Sequence, residues 1–175
     1  MLIKGASFPK SSQVGADRKL SVALDLYSAF FTEQSANARF LTLIMSLEAL
    51  AIGTCKAPLA LELLAKWSSE VEALLKSVPP NSGDAVSLEA LNRELLFRRE
   101  DSVRSQVRKL VLSALLLDAD ANDMARAAVD LYDLRSKLVH DGALDARTLD
   151  VATSEAKSLV HRVLLIRFQR VTQGE

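Results

Sequence analysis

Arg135 and His140 stand five residues apart in Leu131-Tyr132-Asp133-Leu134-Arg135-Ser136-Lys137-Leu138-Val139-His140-Asp141-Gly142, a helical segment that ends at a glycine. An arginine keeps its charge at any physiological pH and presents a planar fork of donors that fits a carboxylate or a phosphate. A histidine titrates near neutrality and can take or give a proton. Its place in the last helical turn favours the protonated form, because cations are stabilised at a helix C-terminus. Together these groups suit acid–base chemistry at a phosphodiester, with the arginine facing the charge that develops on phosphorus. On residue types alone, an ion pair and a helix cap remain the competing reading.

Spacing constrains how such a pair can work. At about 100° per residue, Ala127, Leu131, Leu134 and Leu138 are expected to form the core stripe of this helix. Arg126, Asp130, Asp133 and Lys137 form the solvated stripe, with Asp133 and Lys137 in the favourable acid-before-base order. Arg135 belongs to neither and shares the apolar shoulder with Ala128, Tyr132 and Val139. A charge there needs a carboxylate, a phosphate or a second subunit. His140 lies about 140° further around a regular helix, so the two side chains diverge. They converge only if the helix unwinds before His140, or if two copies meet across a two-fold axis.

The partner expected for Arg135 is Glu48. It is the only charge between Phe40 and Ile52 and lines up with apolar Leu41, Ile44 or Met45, and Ile52, where a carboxylate requires a counter-charge. Arg39 and Arg108 are the alternative cations. Ser136 and Asp141 flank the pair in sequence and are candidate supporting residues. The densest basic region contains Arg93, Arg98, Arg99, Arg104, Arg108 and Lys109. Arg104, Arg108 and Lys109 are its candidate RNA-backbone contacts, set against the plainer reading of a solvated helix face partly neutralised by Glu94, Glu100 and Asp101. His161 stands alone on the last helix and reads as solvated or satisfied. Two histidines and one cysteine make a zinc site unlikely on counting alone, no Gly-rich phosphate loop suggests a cofactor, and no nucleophile elbow supports a serine triad. Trp67 and the Phe30-Phe31 pair read as core.

The elements that must position these residues are helices throughout. Asp17 caps a first, with Leu20, Leu24, Tyr27 and Phe31 at helical spacing. Ser35 caps a second, with Phe40, Leu43, Leu47 and Leu50 on one face and an end near Gly53. Pro58 opens a third, with Leu61, Leu64, Val71 and Leu75 facing inward and Trp67 less regularly so. Pro79-Pro80-Asn81-Ser82-Gly83 is a loop. Asp84 to about Leu117 makes two helices with a kink near Glu100-Asp101. The Arg135 helix follows, capped by Asp120 or Asn122, and a last helix from about Arg147 carries Leu149, Ala152, Ala156, Leu159, Val163 and Ile166 as a stripe. No window alternates with period two. The pattern predicts an all-α up-and-down bundle of five to seven helices, with residues 1–16 as a flexible arm and 17–175 as a single helical domain.

Bulk properties set the setting. The 175 residues hold 22 basic and 22 acidic side chains, so no global field draws in nucleic acid or an anionic membrane. Cys55 is the only cysteine, which rules out an intrachain disulfide and suggests a reducing, cytoplasmic compartment. The longest apolar run, Phe40 to Ile52, is too short to span a bilayer.

The segment from Leu131 to Gly142 resembles the signature of HEPN domains, in particular the Apea-like branch, where an "LY-x-x-RS-x-x-x-H-G"-type segment ends the penultimate helix. Arg39-Phe40-Leu41-Thr42-Leu43-Ile44-Met45-Ser46-Leu47-Glu48-Ala49-Leu50 is similar to that branch's earlier "RF…LEAL" helix, and Val103-Arg104-Ser105-Gln106-Val107-Arg108-Lys109-Leu110 fits the basic helix between them. The resemblance spans about residue 17 to the end. It implies a homodimer with two facing Arg-x4-His segments and, in many members, a metal-independent endoribonuclease. The histidine then acts on the ribose 2′-hydroxyl and the arginine at the phosphate, here His140 and Arg135. Many active members place Asn, Asp or His after the arginine, whereas this chain has Ser136. Other members are non-catalytic dimerisation or RNA-binding modules, which is the alternative expectation. A defence or toxin-like role, with a partner antitoxin or a fused domain, is what the family further implies.

Overall fold

Asp17 Oδ1 accepts the backbone N–H groups of Lys19 and Leu20, both at 3.1 Å, and the chain becomes helical at that point. Ser35 and Ser82 do the same for later helices, accepting from Ala38 N at 3.4 Å and Ala85 N at 3.2 Å. Pro58 occupies the first turn of another, where its missing N–H costs nothing. The structure, a computed structural model, describes residues 17–173, so the expected arm at 1–16 lies outside the described residues. Seven helices make up the described residues: α1 (Arg18–Thr32), α2 (Ala36–Leu50), α3 (Pro58–Leu75), α4 (Gly83–Phe97), α5 (Val103–Ala114), α6 (Ala121–Asp141) and α7 (Ala146–Gln173). Among these residues there is no strand, and the all-α expectation holds. No described helix is long and apolar enough to cross a membrane.

The chain divides into two compact units. The larger joins the described residues up to Ala51 with those from Val107 onward; the smaller is Ile52–Gln106. At the centre of the larger unit is α2, the element in contact with α1, α6 and α7. Its Phe40, Leu43, Ile44, Leu47 and Leu50 are fully buried, which is why the most apolar stretch of the chain lies there. Ser46 is also buried, and its hydroxyl donates to the Ala23 carbonyl of α1 at 2.8 Å, so the polar group keeps a partner. From α7, Leu149, Ala152, Ala156, Leu159 and Val163 enter the core as predicted, whereas Ile166 is only partly buried.

Several local expectations are corrected. Helix α2 ends at Leu50, before Gly53, and α5 ends at Ala114, short of Leu117. Asp120 does stand before α6, but its carboxylate makes no cap bond. It accepts instead from Arg162 of α7, at 2.8 and 2.9 Å, while Asp118 accepts from the same guanidinium at 2.9 Å. That hydrogen bond from Arg162 holds the Asp120 carboxyl below the usual aspartate value. Phe31, expected in the core, is 59% exposed, while its neighbour Phe30 is buried.

In the smaller unit α3 packs on α4 over Leu64, Val71 and Leu95, with Leu75 and Leu88 at the edge. The Ser68 hydroxyl donates to Asn92 Oδ1 at 2.6 Å across that contact. Trp67 is 44% exposed, against expectation, because two packed helices bury only the faces they turn to each other. The predicted kink near Glu100-Asp101 is a complete break between α4 and α5. Backbone bonds hold it, from Lys56 N to Arg99 O at 3.0 Å and from Asp101 N to Thr54 O at 2.8 Å.

Candidate functional site

Helix α6 buries Ala121, Ala125, Ala128, Leu131 and Leu138. This stripe is rotated from the predicted one: Ala128 is at its centre, and Ala127 and Leu134 are only partly buried at its edge. Three alanines let the first half of α6 approach its neighbours closely. Carried forward at about 100° per residue, the same line runs through Arg135. The arginine therefore occupies a core position, where an apolar side chain would ordinarily sit.

The neighbouring helix supplies the counter-charge. Glu48 Oε1 of α2 lies 3.3 Å from Arg135 Nε, and both side chains are mostly covered, at 23% and 28% exposure. The expected pairing is present. Both atoms are buried, yet their alignment does not make a hydrogen bond, so the contact is an ion pair by proximity of charge. Burial raises the Glu48 carboxyl above its ordinary value, and the Arg135 charge pulls it only partly back. Tyr132, one turn earlier, places its ring 5.9 Å from the guanidinium carbon. Among the described residues, no hydrogen bond occupies the two terminal nitrogens of Arg135, and neither is closed off from solvent. They are free to meet an incoming anion as a fork.

His140 is exposed on the other side of the helix. Helix α6 continues unbroken through His140 to Asp141 and stops at Gly142, whose φ of +80° is the left-handed cap. The Gly142 N–H bonds the Leu138 carbonyl at 3.0 Å, which locks the final turn. The route that required unwinding before His140 is thereby removed, and Arg135 and His140 diverge on one chain. Ser136 is partly buried one turn before His140, and Asp141 is exposed beside it. The geometry thus joins Arg135 with Glu48 and leaves His140 and Asp141 exposed and apart from that pair, with Ser136 partly buried.

The candidate RNA contacts Arg104, Arg108 and Lys109 are all exposed on α5. Arg104 and Lys109 already interact with other groups of the chain. Arg104 belongs to the smaller unit and the other two to the larger. A groove of about 750 Å³ lies within the smaller unit, against Leu63, Trp67, Phe97 and Val103, and holds none of the residues expected at the site. No group of three or more His, Cys, Asp or Glu side chains among the described residues could hold a metal ion.

Sequence reasoning missed one cluster. Tyr27 and His161, on α1 and α7, place the hydroxyl and Nδ1 3.4 Å apart, so His161 is not alone. Arg39 and Lys157 stand over the Phe30 ring beside them. The available signals were the i,i+4 pairs Tyr27–Phe31 and Lys157–His161, each unremarkable until the helices are packed.

No family model, no curated protein and no solved structure matches this chain.

Proposed function

We propose that this chain is a HEPN-type, cytoplasmic protein that works as a homodimer and cleaves RNA without a metal at a site composed of Arg135 and His140 from both copies. The observation that carries the reading is the divergence of the two residues on an unbroken helix, with the Arg135 fork anchored by Glu48 and still open at its terminal nitrogens. On one regular helix the two side chains diverge, and a two-fold axis beside α6 would bring the histidine of one copy towards the arginine of the other.

The chemistry then follows from the groups. A neutral His140 takes the proton of a ribose 2′-hydroxyl, and the oxygen attacks the adjacent phosphorus. The bond from phosphorus to the 5′-oxygen breaks, leaving a 2′,3′-cyclic phosphate. A protonated His140 from the other copy delivers the proton to the departing 5′-oxygen. Arg135 faces the phosphate oxygens as their charge grows, and Glu48 aims it.

The test is incubation of the purified protein with mixed-sequence RNA in the presence of a chelator, alongside His140→Ala and a mass measurement by light scattering. A dimer that cleaves, with loss of cleavage in the variant, is the expected result. Equal cleavage by both proteins, or a strict monomer, overturns it. A dimer that never cleaves assigns the chain to the non-catalytic HEPN modules instead.

A further inference from the structure

We infer that the surface shared by α1, α2 and α7 binds single-stranded nucleic acid, with phosphates on Arg39 and Lys157 and a base stacked on Phe31. Phe30 is buried and forms the floor. Above it, the Arg39 guanidinium carbon is 4.6 Å and the Lys157 ammonium 5.8 Å from its ring centre. Lys157 is also 5.5 Å from the centre of the Phe31 ring, which is largely exposed. Phe31 is held edge-on by Tyr27 and by Phe30, at centroid distances of 5.3 and 5.0 Å and angles of 88° and 80°. The open ring is therefore fixed in place before any ligand arrives.

The charges around that ring are uncompensated. Neither Arg39 nor Lys157 forms an ion pair with a described residue, and His161 lies one turn after Lys157, beside Tyr27. Of the acids nearest in sequence, Glu155 is two residues before Lys157 and so about 200° around α7, and Glu33 has its Oε1 bound to the backbone N–H groups of Gln34 and Ser35, at 2.7 and 2.8 Å. Two cations beside one ring, with no ion pair to a described residue, favour an anion at this surface. An acidic peptide would use the cations and leave the rigid ring idle. A nucleotide uses both, because every base has a face to stack and every linkage a charge. A duplex keeps its bases paired and cannot offer one to Phe31. The surface includes neither Arg135 nor His140 and requires nothing of them.

The experiment is fluorescence anisotropy with a labelled single-stranded oligothymidine of about 12 nucleotides, comparable to the sites of single-strand binders. This probe lacks the 2′-hydroxyl that the proposed cleavage consumes, so its binding is read independently of that reaction. Phe31→Ala weakens binding about tenfold, the loss expected for one stacked base. Arg39→Ala with Lys157→Ala lowers the slope of log affinity against log salt by about 1.4, as for two phosphate contacts on a single strand. Lys157→Glu, at an exposed position that leaves folding undisturbed, abolishes binding at moderate salt, and Arg98→Ala in the smaller unit changes nothing. The inference is overturned if the wild type does not bind the probe or if the variants bind as it does. Equal affinity for a duplex, or for polyglutamate, also overturns it.

Discussion

Glu48 Oε1 and Arg135 Nε approach to 3.3 Å between α2 and α6, both atoms are buried, and neither gains a hydrogen bond from the approach. A pair of this kind loses hydration on both sides and recovers it incompletely. In the proposed site the pair serves to aim the guanidinium. We therefore expect the double variant Glu48→Leu/Arg135→Met to be more stable than the wild type by about 1 kcal/mol, since apolar groups of similar volume continue the α6 stripe. Arg135→Met alone strands Glu48 and costs about 1–2 kcal/mol at neutral pH. Urea unfolding of the three proteins measures both values. A double variant less stable than either single one would show that the pair supports the fold.

The raised Glu48 carboxyl makes a second prediction. The folded state holds this proton more tightly than the unfolded chain does, so the stability it contributes is full below the ordinary value of 4.5 and is lost as pH rises through the raised value. Relative to Glu48→Gln, the wild type should therefore lose stability as pH rises from the ordinary value of 4.5 through the raised one. Denaturant midpoints of both proteins across that range test the sign. A wild type that gains on the variant as pH rises would mean that the Arg135 charge outweighs burial.

Gly142 offers a third. Nothing lies within 4 Å of a Cβ built there, so an alanine meets no clash and pays only for its φ of +80°. Gly142→Ala should cost about 1 kcal/mol and fray the last turn of α6, the turn that carries His140. Thermal unfolding gives the cost, and amide hydrogen exchange at Val139 to Asp141 reports the fraying. Unchanged exchange there would separate the cap from the placement of His140.

Much of this organisation was legible from residue order alone, because its causes are local. Asp17 and Ser35 announce helix starts by offering an oxygen to free N–H groups, and Gly142 announces an end by its tolerance of positive φ. Glu48 was identifiable as needing a cation because a carboxylate on an apolar face is costly wherever it is found. Less legible was anything set by which faces meet. Phe31 and Trp67 have the spacing of core residues and are exposed, since periodicity marks an apolar face and says nothing of whether another helix covers it. Asp120 has the chemistry of a cap and serves Arg162, a partner 42 residues away.

By itself, then, the sequence determined the helical class, most helix starts and the divergence of Arg135 from His140, since 3.6 residues per turn follow from backbone geometry alone. Tertiary structure decided the rest. Packing of α6 on α2 turned the Ala121–Ala125–Ala128 line inward, which moved Arg135 from the shoulder to the centre of the buried stripe and set it against Glu48. Packing of α1, α2 and α7 also gathered Phe31, Arg39 and the Lys157–His161 pair, which belong to three different helices. Local rules act over one turn of helix, whereas a site assembled from several helices exists only once their faces have been paired.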